Sequence, residues 1–263
     1  MLKICYTFVN FLILKPILEI ESAVEALAYI LKIGELLYLA VYTKKSDTKH
    51  MKLRWKIAQA AEIRWWQGYL NKKDKTEYLT WKKDYWNTFL QDCNLDVPKG
   101  AICLDAGCGP AGIFTILEQQ QVDAVDPLLD SYAEKLTHFK AADYPSVNFM
   151  AQALEQFEPK TAYDYVFCLN AINHVSDLDA CWEQLFAATK EGGFLVVSID
   201  AHNHSFFKHL FRAIPGDILH PHQYDLEEYQ KMLTQRGGKL IHTIHKDKAF
   251  FFDYYVLVVQ KNS

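Results

Sequence analysis

The residues best suited to chemistry form a glycine-rich turn that follows a short apolar run. Residues 102–112 read Ile-Cys-Leu-Asp-Ala-Gly-Cys-Gly-Pro-Ala-Gly. Glycines at a strand-to-helix turn let a ligand approach the backbone where a Cβ would block it. The turn therefore predicts a nucleotide-type ligand at the C-terminal edge of a parallel sheet, with Gly107 and Gly109 giving access to the backbone.

Two acidic residues indicate which class of nucleotide could bind at this turn. Asp105 lies two residues before Gly107, where a carboxylate would repel a pyrophosphate but could pair with an ammonium group. Asp126 ends a second apolar run and can accept hydrogen bonds from ribose hydroxyls. S-adenosylmethionine, which has an amino-acid end and a ribose, fits both acids. The alternative is that Asp105 only caps the turn and Asp126 is an ordinary loop acid.

Several segments resemble the motifs of class I S-adenosylmethionine-dependent methyltransferases, in the broad group that methylates small molecules. They are residues 104–112, Asp126, residues 163–175 and residues 190–197, in the family's order within about residues 95–263. The resemblance implies a cofactor site made of Asp105, Gly107, Gly109, Asp126, Gln152, Ala153, Leu154 and Asn170. Gln152 departs from the family, which often has an acid there facing the adenine amino group, although an amide oxygen can accept the same bond.

Methyl transfer from a sulfonium is an in-line displacement, so the protein mainly supplies proximity, orientation and exclusion of water. His174 is the candidate base if the acceptor must lose a proton, and the alternative is a structural hydrogen bond in its loop. Further polar side chains are expected to line the substrate pocket: Asn173, His202, His204, His220, His222 and Tyr224. The two His-x-His pairs could instead bind a metal or stabilise loops. No metal is expected, because most enzymes of the resembled class use none.

Composition limits the function classes. The chain has 263 residues, a formal net charge of −4 and no general attraction to nucleic acid. Its six cysteines form no CxxC pair, which indicates reduced thiols in a cytoplasmic protein. Five lysines alternate with acids and predict a solvated helix surface: Lys72, Lys73, Lys75, Lys82 and Lys83.

Alternating apolar and amphipathic segments predict a Rossmann-like α/β fold, a doubly wound, mostly parallel sheet with helices on both faces. Strands are expected near 101–105, 121–126, 147–150, 163–169 and 193–200, and helices near 111–119, 129–141, 177–190 and 225–236. Residues 239–245 and 251–259 predict a C-terminal antiparallel hairpin, because the gap between them is too short for a parallel crossover.

Three segments are expected along the chain: residues 1–50, an apolar helical extension; residues 51–95, an aromatic-rich helical cap; and residues 96–263, the cofactor-binding domain. The first could be a docked cap, an extension upstream of a natural start at Met51, or an interfacial membrane helix. Thr43 to His50 reads as a polar linker. The aromatic residues of the cap could be core packing or a lid over the ligand.

Other functions stay open on the sequence alone. A NAD oxidoreductase or an aminopropyltransferase could use a similar pocket. A cofactor-binding regulatory or scaffold protein without catalysis is the non-enzyme alternative. The acceptor and the oligomeric state are not predicted.

Overall fold

A computed structural model describes residues 48–203, 224–248 and 252–263, with side chains from residue 59 onward. Seven strands form one sheet in the order β3-β2-β1-β4-β5-β7-β6. They are β1 (Ile102–Ala106), β2 (Gln121–Val125), β3 (Val147–Met150), β4 (Tyr163–Cys168), β5 (Thr189–His202), β6 (Gly238–Lys248) and β7 (Phe252–Lys261). The first five strands are parallel to one another, whereas β7 is antiparallel to both β5 and β6. The predicted fold class and the terminal hairpin are confirmed.

Apolar side chains cover both faces of the central strands. Side chains alternate along a strand, so Cys103 belongs to the core on one face of the sheet and Leu104 to the core on the other. The first core contains Trp86, and the second contains Trp182. Strands buried on both faces read as continuous apolar runs, which is why they could be located from the sequence.

The α-helices in the described part of the chain are α1 (Thr48–Leu70), α2 (Lys75–Asp92), α3 (Leu129–Lys135), α4 (Leu178–Ala188) and α5 (Leu226–Gln235). The side chain of Asp74 begins α2 by accepting hydrogen bonds from the backbone N–H groups of Thr76 and Glu77, at 2.8 and 3.0 Å. Asp225 and Glu228 form a capping box at α5. No helix among the described residues is long and apolar enough to span a membrane.

Two predicted helices differ from the structure. The expected helix at 111–119 is replaced by two 3₁₀ turns, Gly109–Ala111 and Ile113–Ile116, because Gly112 between them has an extended backbone. The helix expected at 129–141 ends at Lys135, since Leu136 is extended. Beyond it, the ring of His138 contacts the carbonyl oxygen of Lys73 at 3.0 Å, in the turn between α1 and α2.

The predicted cap packs against the rest of the described protein through a shared hydrophobic core. Helix α1 begins at Thr48, so the last three residues of the predicted linker are helical and the helix crosses the expected boundary at residue 51. Side chains from α1 and α2 share a core with β1 and α3. The three-part division stays a prediction, and residues 1–47 lie outside the described residues.

Candidate active site

The glycine turn after β1 requires its glycines. Gly107 and Gly109 have φ values of +75° and +59°, a region that side chains with a Cβ rarely adopt. A Cβ on Gly107 would lie 2.2 Å from the Cβ of Ala171, whereas one on Gly109 would meet nothing within 4 Å. The N–H of Gly107 donates to the carbonyl oxygen of Val125 at 2.7 Å, which ties the turn to the end of β2.

Asp126 joins this turn to the segment after β2. Its carboxylate accepts hydrogen bonds from the N–H groups of Gly109 at 2.9 Å and Leu128 at 2.8 Å. The side chain is buried yet borders the cavity described below. Burial raises the pKa of Asp126, and the carboxyl group of Glu62 on α1 raises it further. Asp126 is thus an acceptor held in place at the cavity wall.

Asp105 lies beneath the turn and not on the cavity wall. It is 2% exposed, and its carboxylate accepts a hydrogen bond from the N–H of Phe114 at 3.1 Å. A Cβ on Gly112 would approach its Oδ2 to 2.3 Å, so the turn packs directly on this acid. Burial raises the pKa of Asp105 to about 7, although the hydrogen bond from Phe114 opposes the shift.

One cavity of about 1220 Å³ lies over the carboxyl ends of the strands. Of the predicted cofactor and catalytic residues, it is lined by Gly107, Gly109, Asp126, Ala153, Leu154, Asn170 and His174. Gln152 is half-buried and does not line it. Pockets for one drug-sized ligand measure about 300–1,000 Å³, so this cavity has room for a cofactor and a second molecule.

The loop after β4 brings two of these residues to the cavity. Asn170 has φ +57°, and its N–H donates to Oγ of Ser198 on β5 at 2.7 Å. Non-glycine residues in this left-handed region often mark functional sites. The backbone N–H of His174 donates to the carbonyl oxygen of Ala171 at 3.0 Å, closing a turn that places the half-buried imidazole at the cavity.

Three residues predicted to contact substrate lie outside the cavity. The amide of Asn173 is buried, donating to the Asp200 carbonyl at 3.1 Å and the Tyr229 hydroxyl at 3.0 Å, and accepting from the Asp200 N–H at 3.1 Å. These bonds tie the loop after β4 to β5 and α5. His202 is buried at the end of β5, and Tyr224 packs on Tyr229 with ring centroids 5.6 Å apart.

The remaining predicted substrate residues, His204, His220 and His222, lie outside the described residues. No group of three or more potential metal ligands occurs in the described part of the chain. The histidine pairs therefore stay a prediction.

The cap contributes cavity residues, and two of them, Glu62 and Lys82, were not predicted from the sequence. Lys82 was expected on a solvated surface but lines the cavity, and Glu62 lines it beside Asp126. Aromatic side chains of the cap line it as well: Trp65, Trp66, Tyr69, Tyr78, Trp81, Tyr85 and Trp86. Helical spacing places residues 78, 81, 82 and 85 on one face of α2, so it groups Lys82 with the aromatic residues but does not show that this face meets the cavity. Some of these rings, such as those of Tyr78 and Trp86, therefore belong to the hydrophobic core and also line the cavity.

Hydrogen bonds of Trp86 and Glu62 connect the cap with the site. Nε1 of Trp86 donates to the carbonyl oxygen of Ala111 at 3.0 Å, in the glycine turn. The hydroxyl of Tyr132 donates to Oε1 of Glu62 at 3.2 Å, connecting α3 with α1. Burial raises the pKa of Glu62 above its usual range, and the hydrogen bonds from Trp66 and Tyr132 only partly oppose this.

Solved structures share this fold. A 1,6-didemethyltoxoflavin-N1-methyltransferase of Burkholderia thailandensis, with bound 1,6-didemethyltoxoflavin and S-adenosylhomocysteine, superposes with a TM-score of 0.55 at 13% identity, covering 83% of this chain and 92% of that one. The N-methyltransferase NodS of Bradyrhizobium japonicum in complex with S-adenosylhomocysteine gives 0.53 at 13% identity, covering 69% and 88%.

Sequence comparison agrees with the fold. A ubiquinone biosynthesis O-methyltransferase of a Bradyrhizobium species is 32% identical over 109 residues, which are 40% of this chain and 42% of the relative. The chain thus matches less than half the length of this curated relative. The family model described as a methyltransferase domain matches residues 78–243, more than half of the chain. The chain therefore belongs to the methyltransferase-domain family.

Proposed function

We propose that this protein transfers a methyl group from S-adenosylmethionine to a small, partly apolar acceptor. The observation that carries the proposal is the Asp126 carboxylate, fixed by two backbone N–H groups at the wall of the cavity beside the Gly107–Gly109 turn. A fixed acceptor suits a ribose, and a turn open at Gly109 suits close approach of a ligand to the backbone.

We assign the residues at the cavity to successive parts of the donor. Asp126 accepts hydrogen bonds from the ribose hydroxyls, and Ala153 and Leu154 flank the adenine. Asn170 lies on the methionine side. Asp105, beneath the turn, favours the ammonium group through its negative charge and through water rather than by direct contact. Gln152 would reach the adenine only with a change of its side-chain position, since it does not line the cavity.

The bound donor supplies an electrophilic methyl group on a sulfonium, so the chain's own task is to orient the acceptor and exclude water. The aromatic residues of α1 and α2 exclude water from one side of the cavity. His174 would accept the proton if the acceptor is a hydroxyl or an amine. Asn173 acts as a positioning residue, because its amide holds the loop that carries His174.

The acceptor is best sought among aromatic hydroxyl compounds. The rings of the cap offer flat apolar surfaces on which a planar molecule can stack. The curated relatives named as ubiquinone biosynthesis O-methyltransferases point in the same direction.

Transfer can be tested with methyl-labelled S-adenosylmethionine and a panel of phenols, catechols and quinols, by counting label in the extracted product. We expect label in at least one aromatic hydroxyl compound and a lower rate with His174→Gln at unchanged cofactor affinity. A folded protein that binds the donor but labels nothing across phenols, amines and carbon acids would favour a regulatory or scaffold role.

A further inference from the structure

A lysine on the cap lies at the cavity in a setting that suits an anion. The ammonium group of Lys82 is 4.4 Å from the ring centroid of Trp86, 5.1 Å from that of Tyr85 and 5.8 Å from that of Trp81. Trp86 is itself tied to the glycine turn through the carbonyl oxygen of Ala111. The cation is thus held beside the turn by rings that do not neutralise its charge.

Lys82 differs from the other Lys and Arg side chains that line the cavity within the described residues. Lys246 forms an ion pair with Asp92, and Arg64 and Lys72 are exposed. Lys82 is half-buried, and no side chain in the described part of the chain forms an ion pair or hydrogen bond with it. Burial lowers the pKa of Lys82 to about 8, and the charge of Asp105 only partly offsets this. A partly desolvated cation that no described acid contacts directly is stabilised by an anionic ligand.

We propose that Lys82 is a carboxylate-binding residue of this cavity. Between about pH 7 and pH 8, Asp105 beneath the same turn is ionised and Lys82 is protonated, so the site offers one negative and one positive charge, the complement of an α-amino acid. The carboxylate could belong to the amino-acid end of the donor or to an aromatic acid acting as acceptor. The inference rests on the proposed function, because both sources are ligands of that site.

Calorimetric titration of the full chain can separate the sources. The donor-side probes are S-adenosylhomocysteine, its decarboxylated analogue and 5′-methylthioadenosine, which lacks the whole amino-acid end. The acceptor-side probes are 4-hydroxybenzoate and the uncharged 4-hydroxybenzamide. The variants are Lys82→Gln, Lys82→Arg and the matched control Lys83→Gln, whose lysine lies next in the helix but pairs with Glu118 on the surface at 2.7 Å.

If the donor supplies the carboxylate, Lys82→Gln should bind S-adenosylhomocysteine about 10- to 100-fold more weakly, the loss expected for one charge-assisted hydrogen bond. Its affinity for 5′-methylthioadenosine should be unchanged, Lys82→Arg should recover most of the loss, and Lys83→Gln should behave as wild type. If the acceptor supplies it, the loss should appear with 4-hydroxybenzoate and not with 4-hydroxybenzamide.

Wild-type affinity of Lys82→Gln for both carboxylate probes overturns the proposal, and so does an equal loss for the uncharged probes. If Lys82→Gln does not fold, titrations of the wild-type protein still test whether the cavity binds a carboxylate. Equal affinity for S-adenosylhomocysteine and its decarboxylated analogue, together with equal affinity for the benzoate and the benzamide, overturns the proposal. A wild type that binds neither S-adenosylhomocysteine nor 5′-methylthioadenosine contradicts the proposed function itself.

Discussion

The buried carboxyl group of Asp105 makes the stability of the protein depend on pH in a direction that can be measured. Burial raises its pKa from 3.8 to about 7. An acid whose pKa is higher in the folded state holds its proton more tightly there, so its contribution to stability is fully present below pH 4 and is lost as the pH rises to about 7. That interval corresponds to about 4 kcal/mol at 1.36 kcal/mol per pH unit.

Asp105→Asn removes the ionisation and keeps an oxygen that can accept the hydrogen bond from Phe114. We expect the variant to gain stability relative to wild type as the pH rises, from little difference at pH 4 to about 4 kcal/mol above pH 7. Urea unfolding followed by circular dichroism at pH 4, 5, 6, 7 and 8 measures this difference. The control is Asp143→Asn, an exposed acid paired with Lys75, which should show no such rise. A constant difference in stability between wild type and Asp105→Asn from pH 5 to 7 would show that the pKa of Asp105 is not raised by folding.

Three further substitutions test the site. Asp126→Ala should weaken binding of S-adenosylhomocysteine by roughly 1–3 kcal/mol in a calorimetric titration, because the ribose hydroxyls of the bound ligand lose their acceptor. Unchanged affinity would contradict the assignment of Asp126 to the ribose. Gly107→Ala should destabilise the protein by about 1–3 kcal/mol more than Gly100→Ala in urea unfolding, since φ is +75° and +77° but only the Cβ added at residue 107 would meet Ala171, at 2.2 Å; equal losses would contradict this steric clash. Trp86→Phe should lower the free energy of unfolding by about 1–3 kcal/mol, because the Ala111 carbonyl loses its buried donor. A loss below about 0.5 kcal/mol, the size typical of a surface substitution, would contradict a stabilising role of this hydrogen bond.

Local sequence predicted the sheet well and the short connections poorly. Strands β4 and β5 each contain an apolar run, residues 165–168 and 194–197, and these runs indicate where the buried part of each strand lies. The segment after Gly109 has apolar residues at helical spacing, yet Pro110 and Gly112 interrupt it and two 3₁₀ turns form. Periodicity shows which residues are buried there, but the backbone geometry depends on single residues.

The residues of the candidate site were likewise predicted only in part. Gly107, Gly109 and Asp126 lie next to apolar runs that end at one sheet edge, so the sequence places them together. Glu62 and Lys82 reach the cavity only because α1 and α2 pack over that edge, a long-range contact that spacing within a helix does not specify. Asn173 lies in the loop after β4 as predicted, but its amide makes hydrogen bonds to Asp200 and Tyr229 and does not line the cavity.

The proposed donor site is tested most directly by calorimetric titration of the purified chain with S-adenosylhomocysteine, with NADH as the matched dinucleotide control. At pH 8 we expect micromolar binding of S-adenosylhomocysteine that Asp126→Ala weakens, and no binding of NADH, because the ionised Asp105 beneath the turn disfavours a pyrophosphate. Binding of NADH, or no binding of S-adenosylhomocysteine by a protein shown to be folded, would contradict the proposed donor site.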